Sequence, residues 1–155
     1  MTWQAALIRW VARHLVRPLV ARSRDPLVAR ARLERVARLG PRPAPHHLAL
    51  PAVAGVPGLW VSARPSREGL ILYLHGGAYV MGSARTHAAL ASHLARHSGL
   101  RVFLPEYPLA PEQPFPAGFD GALAAYDALL RLGHDPARIV LGGDSAGGGL
   151  ALALL

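Results

Sequence analysis

The chain contains no cysteine and no lysine. Without cysteine there can be no disulfide, no thiolate nucleophile and no thiolate metal site. Without lysine, every mechanism that needs a catalytic or phosphate-holding ammonium is excluded, the P-loop among them. All seventeen basic residues are therefore arginine. An uninterrupted apolar run is missing from the N-terminus as well: "MTWQAALIRWVARHLVRPLV" is broken by Arg9, Arg13 and Arg17, which argues against a signal peptide or a membrane span. The expectation is a soluble, cytoplasmic protein. Acidic residues are scarce, and the formal net charge is +8. The imbalance is local, because Arg9, Arg13, Arg17, Arg22, Arg24, Arg30, Arg32, Arg35 and Arg38 face only Asp25 and Glu34, and charge beyond them is nearly balanced. Basicity thus belongs to an N-terminal segment and not to the whole chain, and nucleic acid is not an expected partner.

What remains is a chain of 155 residues, 52% of them hydrophobic, with 16 glycines and 14 prolines, enough for one globular, turn-rich core. Trp3, Leu7, Trp10, Val11 and Leu15 recur at helical spacing until Pro18. A second helix is expected after Asp25 as N-cap and Pro26 at the first helical position, with Gly40 as its stop. Residues 1–40 form a helical segment on this reading, and "GPRPAPHH" links it to a second unit, 41–155. There the pattern changes. "HLALPAV" and "LWVSARP" predict two antiparallel strands connected at "VPG", and "LILYLHGG" predicts a strand buried on both faces. A helix over about 86–97, the strand "RVFLP", the Pro-rich loop "EYPLAPEQPFPAG", a helix over about 119–131 and the strand "RIVLGG" follow. Strands alternating with helices imply an α/β fold with a parallel sheet and helices on both faces.

Two segments carry chemistry. Gly143-Asp144-Ser145-Ala146-Gly147 fits G-x-S-x-G between a predicted strand and an apolar helix start. A serine on so sharp a turn is strained, which is tolerable where its neighbours are small, and its Oγ stands above the carboxyl edge of the sheet. The bland alternative is a packing turn. A dinucleotide cradle fits poorly, since Asp144 stands where a second glycine is needed and the motif comes late in the chain. The second segment, "HGGAYVMG", follows the buried strand, where an acyl-transfer enzyme needs backbone N–H groups aimed at a developing oxyanion. Alone, this His-Gly-Gly could be only a turn, with His75 packed inside it.

Together, "HGGAYVMGS", "EYPLAPEQPFPAG" and "GDSAGGGLALAL" closely resemble, in order and spacing, three signature blocks of the hormone-sensitive-lipase-like branch of the α/β-hydrolases. The resemblance covers roughly Leu48 to Leu155. It implies that Ser145 is the nucleophile, flanked by the elbow glycines Gly143 and Gly147. It also implies that the N–H groups of Gly77, Ala78 and Ala146 form an oxyanion hole, that His75 and Gly76 support its loop, and that the N-terminal helices form a cap with arginine in solvent. A complete sheet of this kind has eight strands in the order 1-2-4-3-5-6-7-8; the chain supplies the first five, order 1-2-4-3-5, and the C-terminal strands are missing. Strand 5 is then expected at an edge. Two positions depart from the usual pattern. Ala78 stands where many relatives have glycine, and is expected to offer its N–H only at negative φ. Pro108 stands where many have arginine.

The triad order of this fold is Ser, then Asp or Glu, then His, yet only Ala, Gly and Leu follow Ser145. Among the earlier histidines, His87, His93 and His97 are expected on a helix surface, His134 in a turn, and His46 and His47 in the linker, with no carboxylate to orient any of them. Asp144 is expected to brace the turn. The sequence thus reads as the N-terminal part of a serine carboxylesterase for short to medium acyl esters, needing no metal or cofactor and inactive alone. The competing readings are a non-catalytic hydrolase remnant that binds a small ligand or another chain, and an N-terminal helix lying on an anionic membrane. The oligomeric state is not legible.

Overall fold

The computed structural model describes residues 2–11, 13–14, 17, 25–39, 47–62 and 67–155. Most of the Pro-rich linker, Pro18 and the end of the second expected strand lie outside them. The elements run α1 (Trp3–Val11), α2 (Pro26–Leu39), β1 (His47–Val53), β2 (Val56–Val61), β3 (Leu70–Leu74), α3 (Ala84–Ser98), β4 (Arg101–Pro105), α4 (Ala117–Arg131), β5 (Ile139–Gly143) and α5 (Ala146–Ala153).

The five strands form one sheet in the order β1-β2-β4-β3-β5. β1 and β2 pair antiparallel, β2 runs antiparallel to β4, and β3 pairs parallel with both β4 and β5. This is the expected order, and β5 lies at one edge with Val140 half exposed.

The buried run "LILYL" divides its side chains between two cores, because successive residues of a strand point to opposite faces. Leu70, Leu72 and Leu74 join Phe103, Leu129 and Leu150 on the face covered by α4 and α5. Ile71 and Tyr73 join Val61, Val102 and Leu104 on the face covered by α3. The helices meet the sheet through alanine: Ala84, Ala88, Ala91 and Ala95 on α3, and Ala122, Ala125 and Ala128 on α4, are all buried. A small side chain at each contact lets the helix axis approach the bulky strand residues without a void.

Helix ends follow the expected chemistry. Asp25 Oδ1 accepts the Leu27 N–H at 2.8 Å ahead of Pro26. Ser83 and Thr86 form a reciprocal capping box at the start of α3, and Gly99 closes it with φ 73°.

One expectation about the strands needs correction. The connection between β1 and β2 is not "VPG" but Ala54-Gly55, with φ of 46° and 88°, which is the mirror-image turn that suits a two-residue hairpin. Val53 pairs with Val56 across it. Pro57 therefore lies within β2, where its carbonyl still accepts the Glu106 N–H at 2.9 Å. On α1, Trp3, Leu7 and Trp10 are exposed. α2 does dock on α3, with Ala29 buried.

Candidate active site

The turn from β5 into α5 places Ser145 at φ 50°, ψ −120°, a region that non-glycine residues avoid at a cost of about 1–3 kcal/mol. Close packing of its neighbours maintains the strain. A Cβ on Gly147 would fall on the carbonyl oxygen of Leu74 in β3, so the helix start lies directly against the strand. Ser145 is exposed, and its hydroxyl makes no hydrogen bond among the described residues.

Facing this turn is the segment after β3. Gly77 has φ 135°, and a Cβ there would strike the carbonyl of Met81. Ala78 and Tyr79 follow at φ 55° and 61°. The expectation that Ala78 needs a negative φ is thus corrected. Two hydrogen bonds to the Gly77 carbonyl, from Val80 N–H at 3.1 Å and Met81 N–H at 2.9 Å, close the turn and hold both residues in the left-handed region. The sign of φ does not consume an N–H, and the amides of Gly77, Ala78 and Ala146 make no hydrogen bond among the described residues.

Asp144 joins the two segments. Its Oδ1 accepts the Gly76 N–H at 2.9 Å and the Tyr73 hydroxyl at 3.1 Å, which is the bracing role expected of it. The carboxylate also raises the Tyr73 phenol to about 12, after burial as the larger cause. His87 Nε2 lies 3.3 Å from the same oxygen. His87 is therefore not a surface residue without a carboxylate beside it. The capping box fixes the first turn of α3, and His87 projects from there toward the sheet, its Nδ1 2.8 Å from Thr86 Oγ1. By contrast, His93 and His97 are exposed, and His134 lies near Trp60 with ring centroids 6.2 Å apart. His47 falls in β1, and His46 lies outside the described residues.

His75 is fully buried. Its Nδ1 lies 3.0 Å from the Gly76 carbonyl; since a carbonyl only accepts, this nitrogen carries the proton. The ring stacks on Tyr107 with centroids 4.3 Å apart. The Tyr107 hydroxyl donates to the His75 carbonyl. Among the described residues Nε2 has no hydrogen-bond partner, and burial lowers the imidazole to about 4. The ring is thus enclosed between the Gly76 carbonyl and Tyr107.

Beside these segments lies a cavity of about 480 Å³, lined in part by Ala78, Tyr79, Val80, Phe119, Gly149 and Leu150. It is mostly apolar and lies between the 77–82 turn, the Pro-rich loop and α5. Among the described residues no group of three His, Asp or Glu side chains could hold a metal ion, and no helix is long and apolar enough to cross a membrane.

The profile of a family described as having the alpha/beta hydrolase fold matches residues 71–155, which span both turns. The chain belongs to the α/β-hydrolase family. Among its α/β-hydrolase relatives, an esterase of Acinetobacter venetianus is 41% identical over 122 residues, 79% of this chain and 40% of that protein. An acetyl-hydrolase of Streptomyces hygroscopicus is 48% identical over 98 residues, covering 62% of this chain and 32% of that one. A crystal structure of an esterase from the bacterial hormone-sensitive lipase family superposes with TM-score 0.78 at 46% identity, over 86% of this chain and 45% of that chain. A hormone-sensitive lipase from a metagenome library gives TM-score 0.79 at 36% identity, over 92% and 50%. The chain thus spans half or less of the length of these relatives, and it falls in the hormone-sensitive-lipase-like branch of the family.

Sequence reasoning missed His87 and Arg30. For His87 the available signal was its position one residue after the S-x-x-T capping box. For Arg30, whose side chain contacts Val80, Ala110 and Glu112, sequence offers no signal, because the partners lie 50 to 82 residues away.

Proposed function

We propose that this chain carries the nucleophile and the oxyanion hole of a serine ester hydrolase for short to medium acyl esters. The observation that carries the reading is Ser145, strained and exposed on the β5–α5 turn, with the unused N–H groups of Gly77, Ala78 and Ala146 nearby. In this mechanism the Ser145 Oγ attacks the ester carbonyl carbon. The carbonyl oxygen gathers negative charge and receives hydrogen bonds from the three amides, which cost no reorganisation because the turns already fix them. Collapse expels the alcohol and leaves an acyl-serine, which water then hydrolyses. The cavity beside Tyr79 and Gly149 accommodates an apolar part of the substrate. Asp144 holds the two turns together, the neutral His75 braces the 75–77 segment against Tyr107, and neither exchanges protons with the substrate.

A serine hydroxyl needs a base, and among the described residues no side chain hydrogen-bonds Ser145. The reading assigns that base to a histidine, oriented by an acid, in the part of the family fold that these residues do not span. The 155 residues alone are then expected to turn over p-nitrophenyl acetate negligibly, and hydrolysis that disappears in Ser145→Ala would overturn that expectation. The test of the activity itself is co-expression with the complementary C-terminal half of the Acinetobacter esterase. A stable complex that hydrolyses p-nitrophenyl acetate only when Ser145 is present supports the reading. A complex whose activity survives Ser145→Ala, or that forms without any activity, overturns it.

A further inference from the structure

Arg30 leaves α2 and crosses to two loops that are far from it in sequence. Its Nε donates to the Val80 carbonyl at 2.8 Å, and one Nη2 bond reaches the Ala110 carbonyl at 2.8 Å. Nη1 and Nη2 meet the two carboxylate oxygens of Glu112 at 2.7 and 2.9 Å. Four directed bonds thus radiate from one planar group, a geometry that guanidinium provides and an ammonium does not. The acceptors are also connected to each other, since the Ala110 N–H donates to the Tyr79 carbonyl at 2.9 Å. Arg30 therefore closes a three-way junction of α2, the 77–82 turn and the Pro-rich loop. Its side chain is 23% exposed, which shields the carbonyl bonds from competing water.

The turn needs such support. Ala78 and Tyr79 both sit in the left-handed region, at about 1–2 kcal/mol each, and among the described residues the backbone bonds closing the turn run from Val80 and Met81 to Gly77. The loop on its far side is rich in proline and offers few amides for a ladder. Fixing the Val80 carbonyl from outside opposes relaxation of the strained pair.

We infer that Arg30 is a positioning residue, which fastens the Val80 end of the 77–82 turn to the Pro-rich loop and so makes the aim of the Gly77 and Ala78 amides depend on the docking of α2. This inference rests on the proposed role of those amides for its catalytic meaning, while the clamp itself is a matter of local stability.

The experiment is amide hydrogen exchange on the full 155-residue chain, comparing the wild type with Arg30→Ala, Arg30→Gln, Arg30→Lys and Glu112→Gln. The amides of Val80, Met81 and Ala110 are expected to exchange about tenfold or more faster in the Ala and Gln variants, because each local opening loses two carbonyl bonds and a bidentate pair. Strand amides of β3 and β4 should remain within about twofold, as distant, independent sites do. Lysine should restore only part of the protection, and Glu112→Gln should show a smaller change of the same kind. Unchanged protection at the three amides, full rescue by lysine, or parallel acceleration throughout the chain would each overturn the clamp. A second measurement, binding of phenylboronic acid, separates this inference from the proposed function. Boronate affinity that requires Ser145 and falls about tenfold in Arg30→Gln supports both. Wild-type binding indifferent to Ser145 counts against the proposed function alone, and the exchange data then still decide the clamp. Ser145-dependent binding unaffected by Arg30→Gln overturns the positioning role.

Discussion

Lowering the pH from 7 to 4 is expected to destabilise the fold by about 3 kcal/mol through His75 alone. The ring is completely enclosed and stays neutral down to about 4, whereas in the unfolded chain it protonates near its ordinary value of about 6.5. Burial is the main cause of the lowered value; the Gly76 carbonyl pulls the other way, and the charge of nearby His87 adds to the lowering. The unfolded state therefore binds the proton first as the pH falls. Stability is full above about 6.5 and is lost progressively toward 4, by about 2 kcal/mol at pH 5. Urea unfolding followed by circular dichroism at a series of pH values measures this. With a slope of about 2 kcal/mol per molar for a domain of this size, the midpoint should drop by about 1 M between pH 7 and pH 5. His75→Gln supplies the control. Removing the stacked ring lowers stability at every pH, but the dependence between pH 6.5 and 4 should flatten. His134, lowered by burial, and Glu112, lowered by Arg30, also lose stability on acidification, while Glu106, raised by burial, works in the opposite sense. All three are common to both proteins and cancel in the difference. Equal pH dependence in wild type and His75→Gln would refute the reasoning.

Three further outcomes can be checked on the same chain. Ala78→Gly relieves a left-handed alanine, so a gain of about 0.5–1 kcal/mol is expected after the added entropy of the unfolded chain is subtracted; a lower melting temperature would contradict it. Gly147→Ala places a methyl group against the Leu74 carbonyl and should cost about 2 kcal/mol or more, read as a loss of urea midpoint. Asp144→Ala leaves the Gly76 N–H and the Tyr73 hydroxyl without their acceptor. A cost of about 2 kcal/mol is expected, together with a shift of the Tyr73 phenol back toward its ordinary pKa in an absorbance titration.

Most of the β3–α5 region was legible, because each feature there has a local cause. The continuous apolar run "LILYL", the run "RVFLP" and the glycines around Ser145 encode their own geometry over five to eight residues. The antiparallel hairpin was located but its turn was displaced, since proline and glycine in "VPG" are a stronger textual cue than Ala54. Backbone twist nonetheless favours a left-handed pair, and Ala54-Gly55 provides it. Among the histidines, His87 was misread. His75, His87 and Asp144 meet through three different elements, and no spacing within one element announces such a meeting.

What the sequence determined by itself was the α/β alternation, the strand-turn-helix around Ser145 and the His-Gly-Gly segment after the buried strand, all consequences of periodicity and of residues that permit unusual backbone angles. What only the tertiary structure decided was how those segments are held against one another. Asp144 reaches Gly76 and Tyr73, and Arg30 reaches Val80, Ala110 and Glu112. These are bonds between side chains and distant partners, and their energy depends on positions that exist only after the sheet has assembled.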